Sequence, residues 1–350
     1  MRYIRSNGVK QMSDDRDIRF WACITILIML FLLTGGCASR QQAVERYVDA
    51  VELKELNEND KAIQKLDQAI KADRRFSLAH SLLGAIYEQK EDYRKSAVSY
   101  EAATRLNRWS FRDYFSLGRV YQKMKEFTLA VKAYCRACEI KPDHLQANLN
   151  NARCLYEIND YNQALVYCKR AEKVNPNVSE LHQLLGNIHS SQKDYEQAIR
   201  SYKRALELNR SNADVMTSLA VAYMRTNRNE PARELLTAVT RLQPKNGTAY
   251  QYLGYCFLRL DDVNRAIDNY KKAMELNNKD WEAYRGLGVA YMMRALKNED
   301  ASLKAQAVEL WRQSLDIRPD QPRRDRLVTL IEKYSKATPG QGESAAKQTK

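Results

Sequence analysis

The chain is expected to be all-α, a superhelical solenoid of about eight helical hairpins plus a C-terminal capping helix. Three observations carry this expectation. Leu117, Gly118 and Tyr121 fall on one side of a first helix, and Ala130, Tyr134 and Ala137 recur at i, i+4, i+7 on a second. That unit, Phe111–His144, is 34 residues long and recurs along the chain without a slip in register. Only 12 glycines and 7 prolines interrupt 350 residues, as a nearly all-helical chain requires.

In the most regular unit a polar break at Lys125–Glu126 separates the helices. Pro142 stops the second one, because proline has no N–H and its ring clashes one turn back. Neither helix can bury its apolar face alone, so each hairpin needs a stacked neighbour. The frame places starts at Ala43, Ser77, Phe111, Leu145, Ser179, Ala213, Gly247 and Trp281. The position of Gly118 is held by Ala50, Gly84, Ala152, Gly186, Ala220, Gly254 and Gly288. Small residues there, and at the positions of Ala130 and Ala137, let helix axes approach closely. Tyr100, Tyr134, Tyr202 and Tyr270 fill the space between.

On these residues the stretch 43–321 resembles the tetratricopeptide repeat family. The resemblance implies a right-handed superhelix whose first helices line a concave groove that holds protein segments.

Residues 1–36 read as an export signal or membrane anchor. A basic segment, Met1–Arg19, precedes the uncharged run Phe20–Leu33 and the small residues Thr34-Gly35-Gly36 before Cys37. The end resembles a bacterial lipobox, which would make Cys37 the lipidated first residue of the mature protein, although Thr34 stands where that pattern usually has leucine. Phe20–Ser39 also has about the ~20 residues a spanning helix needs. The alternatives are therefore an uncleaved single-pass inner-membrane anchor or an ordinary cleaved signal. In a bacterium each places the repeats in the cell envelope, facing the periplasm.

Residues 37–42 form a short linker. The first repeat is degenerate, with Arg74 in place of the terminal proline and Asp49 where Leu117 stands, as expected of a unit with one neighbour. Glu91-Asp92, Asn159-Asp160, Lys193-Asp194 and Asp261-Asp262 suit turns and N-caps. In the eighth repeat the second-helix pattern returns late, at Ala307, Trp311, Ser314 and Pro319. The seven extra residues either lengthen the helix pair or form a projecting loop. Within 322–336, Leu327, Leu330, Ile331 and Tyr334 make an amphipathic cap. Residues 337–350 lack large apolar side chains and read as a disordered tail.

No Gly-rich phosphate loop, HExxH or nucleophile elbow appears, so neither catalytic residues nor a cofactor nor a metal site is expected. Cys135-Arg-Ala-Cys138 lacks the second pair that structural zinc needs. Cys138, Cys154, Cys168 and Cys256 read as core fillers, with Cys135 facing outward. His80, His144, His182 and His189 read as packing residues.

Groove residues follow from fixed positions on the first helices. They are Phe115, Arg119, Leu149, Asn150, Arg153 and Tyr156, then Gln183, Asn187, Gln251, Tyr255, Arg259 and Arg285. None supplies the lysine of the chaperone-tail carboxylate clamp found in some family members, and only Asn150 stands at the asparagine-ladder position of others. Arginines and aromatics together suit a protein hot spot, and Arg119 and Arg153 are expected to add their charges. The formal charge of +14 is spread through every repeat. The expected function is a non-catalytic, membrane-anchored scaffold binding a partner protein segment, probing no nucleic acid and no small-molecule substrate. It is similar to the tetratricopeptide lipoproteins of envelope assemblies. The alternative is charge-driven recruitment to an anionic polymer or an enzyme complex, which steep salt dependence would reveal.

Overall fold

The computed structural model describes residues 38–335, and among them every regular element is an α-helix. Helix α1 spans 38–55, so the expected linker 37–42 is helical from residue 38 on, and α1 pairs in sequence with α2 (Asn59–Ala72). Next come α3 (Ser77–Gln89) and α4 (Tyr93–Leu106), α5 (Phe111–Lys123) and α6 (Phe127–Ile140), and α7 (Leu145–Glu157) and α8 (Tyr161–Val174). Then follow α9 (Ser179–Ser191) and α10 (Tyr195–Leu208), α11 (Ala213–Arg225) and α12 (Asn229–Leu242), and α13 (Gly247–Arg259) and α14 (Val263–Leu276). The last pair, α15 (Trp281–Asn298) and α16 (Ala301–Ile317), is followed by α17 (Arg324–Ser335), giving seventeen helices among the described residues. Cys37, the export segment and the tail lie outside them.

Two compact units divide after Ile158, α1–α7 and α8–α17. In each unit a second helix packs on its own first helix and on the next one along. First helices also touch directly, α5 with α7 in the first unit and α9, α11, α13 and α15 in series in the second.

The contact inside the hairpins explains the glycines. A Cβ built on Gly84 would lie 2.9 Å from the Tyr100 ring, on Gly118 2.7 Å from Tyr134, and on Gly186 2.4 Å from Tyr202. In the eighth hairpin Gly288 meets Trp311 at 2.5 Å. Where alanine holds the glycine position within a unit, the residue sixteen on is smaller: Leu66 after Ala50, Leu236 after Ala220. The ring and the missing Cβ are one packing solution, and a smaller side chain with a methyl is the other.

Turns within hairpins share one device. Asn57, Glu91, Lys125, Asn159, Lys193, Asn227 and Asp261, each 34 residues after the last, have φ between 58° and 63°. Asparagine and aspartate tolerate this left-handed conformation, whereas lysine and glutamate hold it under mild strain. The next residue is the N-cap, and the carboxylates of Asp92, Asp160, Asp194 and Asp262 accept from the backbone N–H three residues on.

Turns between hairpins are locked from the following first helix. Asn148 Nδ2 donates to the carbonyl of Pro142 at 2.8 Å, and His182 Nε2 contacts that of Pro176 at 2.7 Å. His80 bonds the equivalent carbonyl of Arg74. These histidines satisfy a turn carbonyl as well as packing. His144 instead caps α7, its Nδ1 accepting from the Ala147 N–H at 3.2 Å.

The insertion in the eighth hairpin lengthens both helices, to 18 residues in α15 and 17 in α16, against 13 and 14 in a regular hairpin such as α13 and α14. Helix α17 buries Leu327 and Ile331 against Trp311 and Met292. Cys138, Cys154, Cys168 and Cys256 are buried and Cys135 is half-exposed. Burial pushes the thiols of Cys154, Cys168 and Cys256 up to about 12, which leaves them unreactive.

Candidate partner-binding face

Accessible residues of each first helix form one stripe. On α13 they are Thr248, Gln251, Tyr252, Tyr255, Leu258 and Arg259, and on α11 the same positions 34 residues earlier. The spacing i, i+3, i+4, i+7, i+10, i+11 is one face of a helix, beside the small residues that pack inside the hairpin. Every groove residue expected from the sequence lies at one of these positions. Their surroundings differ between the units.

In the first unit the expected groove residues are largely tied up, while Val44, Val48, Leu78 and Arg112 at other stripe positions stay exposed. Arg119, with its side chain 46% exposed, donates through Nε and Nη2 to the two oxygens of Glu88 at 2.6 and 2.8 Å. The Glu88 bonds come first in holding the Arg119 pKa above its ordinary value. The expectation that Arg119 and Arg153 add their charges therefore fails at Arg119, since Glu88 neutralises it locally. Arg153 and Tyr156 are half-buried and each engaged with another group. Leu149 is 2% exposed and belongs to the core, not to a binding surface. Asn150 is 7% exposed, which likewise removes it. Its Oδ1 accepts from Gln146 at 2.8 Å, and its Nδ2 donates to the Tyr134 hydroxyl at 3.2 Å. That hydroxyl in turn donates to Gln122 at 3.0 Å. Phe115 is half-buried among Phe111, Tyr134 and His144, with ring centroids 5.4–5.8 Å away. Ser81 donates to the buried carboxylate of Asp113.

The second unit leaves more open. Tyr255 is 38% exposed, and Arg259, the last residue of α13, is exposed. Arg225 occupies the same position on α11 and is also exposed. Neither arginine has a carboxylate within salt-bridge reach among the described residues. Arg225 was missed from the sequence, although a shift of Arg259 by one repeat finds it. Its charge acts on the Tyr252 hydroxyl, whose pKa burial raises and Arg225 partly restores. Val221, Met224 and Leu258 are half-buried between them, and Val289 is exposed.

Other expected residues of this unit have internal tasks. Asn187 Oδ1 accepts from the Tyr202 hydroxyl at 2.8 Å, and Gln251 donates to Glu282 at 3.0 Å. Gln183 is half-buried. Arg285 donates to the Pro322 carbonyl at 3.1 Å and stacks on Trp281, with its guanidinium 4.8 Å from the ring centroid. It fastens the C-terminal cap, which is a correction to its reading as a ligand residue. No group of three or more His, Cys, Asp or Glu that could hold a metal occurs among the described residues. No helix among them is long and apolar enough to cross a membrane.

Comparison with known proteins agrees with this architecture. Residues 80–288 match the family model described as the cilia and flagella-associated protein 70 C-terminal domain, and 47–108 match a tetratricopeptide repeat model. No curated protein sequence matches. Among solved structures, Pseudomonas aeruginosa PilF is 21% identical, with 59% of this chain and 94% of that one covered and a TM-score of 0.50. A tetratricopeptide repeat protein from Parabacteroides merdae is 15% identical, with 71% and 99% covered and a TM-score of 0.50. A chain of the APC/C hetero-tetramer Cut9–Hcn1 is 13% identical, with 79% and 52% covered and a TM-score of 0.53. At these identities the structures speak to the fold alone. With the first family model spanning well over half of its residues, the chain belongs to the tetratricopeptide repeat proteins, in the family named for the cilia and flagella-associated protein 70 C-terminal domain.

Proposed function

We propose that the chain is a non-catalytic scaffold that holds a segment of a partner protein along the stripe of its first helices. The observation that carries this is the open part of the second unit's stripe, where Arg225, Tyr255 and Arg259 stand around half-buried apolar residues. Arginine and tyrosine are enriched among interface hot spots because they bury area and direct hydrogen bonds. Repeat scaffolds of this fold present an extended face suited to protein contacts. The basic segment, apolar run and Cys37 support a further part of the proposal, that a lipid on Cys37 tethers the scaffold in a bacterial envelope, facing the periplasm.

Two experiments test these parts separately. A photo-crosslinking residue at Tyr255 should trap one partner segment reproducibly, identified by mass spectrometry, and the same residue at Lys132 on α6 should not. Equal trapping from both positions would count against the face. Metabolic labelling with a palmitate analogue should mark the protein and fail in Cys37→Ser. A label that survives the substitution rules out Cys37 as the anchor.

A further inference from the structure

We propose that the second unit's face selects an acidic, amphipathic segment of its partner protein, with carboxylates at Arg225 and Arg259 and apolar side chains on Val221, Tyr255 and Leu258. This deepens the scaffold reading and rests on it.

Arg225 and Arg259 end helices α11 and α13, which touch, so the same position on neighbouring helices brings them roughly 10 Å apart. Some arginines of this unit hold carboxylates of the chain itself, as Arg204 holds Glu207, Arg228 holds Glu196 and Arg265 holds Asp262. These two do not. A cation at a helix C-terminus is favoured by the helix dipole, which accounts for where the arginines sit. The dipole gives no reason for the apolar neighbours. Tyr255 is exposed one turn before Arg259, Val221 stands one turn before Arg225, and Leu258 and Met224 are half-buried beside them. Such side chains recover solvent-exposed area only under an occupant that is itself partly apolar.

Carboxylates at the other end of this face set the occupant's orientation. Asp214 is exposed near the start of α11, and Glu282 lies near the start of α15. Carboxylates of the ligand are repelled there and attracted at the arginine end. An anionic polymer would supply the charge without the apolar groups, and would be indifferent to Tyr255. A protein segment with acidic residues along one side and leucine-like residues along the other satisfies all three features.

The test uses the full-length chain and a labelled synthetic peptide of alternating leucine and aspartate pairs, followed by fluorescence anisotropy. Its lysine counterpart and inorganic polyphosphate serve as comparison probes. The expected result is that the aspartate peptide binds and the lysine peptide does not. Arg225→Gln with Arg259→Gln should then weaken binding by about tenfold or more, the usual loss when anchoring arginines are removed. Tyr255→Ala should weaken it too, while Lys132→Ala with Lys169→Ala, on second helices, should change it less than about twofold. A circular-dichroism melt of each variant verifies folding. Equal binding of the lysine peptide, an equal loss in the lysine controls, or polyphosphate binding unaffected by Tyr255→Ala while the peptide fails, overturns the proposal. If the aspartate peptide fails while Tyr255 still crosslinks a partner, the acidic-segment proposal falls and the scaffold reading stands.

Discussion

The two units carry the same stripe of positions and treat its arginines differently. In the first, the residues expected to bind are drawn inward: Arg119 is clamped by Glu88, Asn150 by Gln146 and Tyr134, and Leu149 is withdrawn into the core. In the second, Arg225, Tyr255 and Arg259 stay open. A position in a repeat therefore does not set a residue's role. Whether an arginine can anchor a ligand depends on whether the preceding repeat supplies a carboxylate about one repeat back, as Glu88 does for Arg119.

The comparison assumes that both units are built alike beneath the face, and the largest effect tests that. Gly186→Ala would place a methyl where only 2.4 Å separates it from the Tyr202 ring, and Gly118→Ala meets Tyr134 at 2.7 Å. Each should cost about 1–3 kcal/mol in urea unfolding through overpacking. Adding Tyr202→Leu to Gly186→Ala imitates the Ala220 and Leu236 pair and should recover part of the loss. A double variant less stable than either single one would refute the shared packing rule.

A smaller effect separates the faces. Arg119→Ala should lower stability by about 1 kcal/mol, because two charged hydrogen bonds vanish and Glu88 keeps only the Tyr100 hydroxyl at 3.3 Å. Arg225→Ala should stay within about 0.5 kcal/mol of the parent. Equal losses in chemical denaturation would mean that Arg225 has a structural partner after all.

Acid should also act unevenly. Burial first of all lowers the pKa of His80, His144 and His189 below the ordinary 6.5. Their folded forms resist protonation, so the stability they support is full above about pH 6.5 and falls as the pH drops below it. Protonated His144 can no longer accept from the Ala147 N–H, which removes the α7 cap. Melting temperature should decline between pH 7 and pH 5, and less steeply in His144→Asn, whose amide oxygen can still cap. A melting temperature that rises over that range contradicts the assignment.

The smallest effect is stabilising. Lys125→Gly in the first unit and Lys193→Gly in the second relieve a left-handed residue with φ of 62° and 63°, and each should gain about 0.5–1 kcal/mol.

Much of the architecture was legible because the hairpin contact recurs at fixed spacing. Small residues at the Gly118, Ala130 and Ala137 positions mark where helices touch, and they did so without any coordinates. The coupling of glycine to tyrosine sixteen residues on is also written in the sequence, but recognising it requires knowing which helix faces meet. The insertion after Tyr291 was ambiguous because both extended helices and a loop satisfy its pattern. The candidate site was less legible. Leu149 and Phe115 share a repeat position, yet one is buried and the other half-buried, since burial depends on neighbouring side chains rather than on position. Arg119 looked free because Glu88 lies in another hairpin and at another stripe position. Arg285 looked like a ligand residue because the cap that it fastens follows the repeats.

The central claim is that Arg225 and Arg259 of the second unit are open to an acidic ligand while Arg119 of the first unit is committed to Glu88. The most direct measurement is the affinity of the leucine–aspartate peptide for two double variants, side by side. Arg225→Gln with Arg259→Gln should lose about tenfold or more, and Arg119→Gln with Arg153→Gln less than about twofold. The reverse order, or equal losses, would contradict the account.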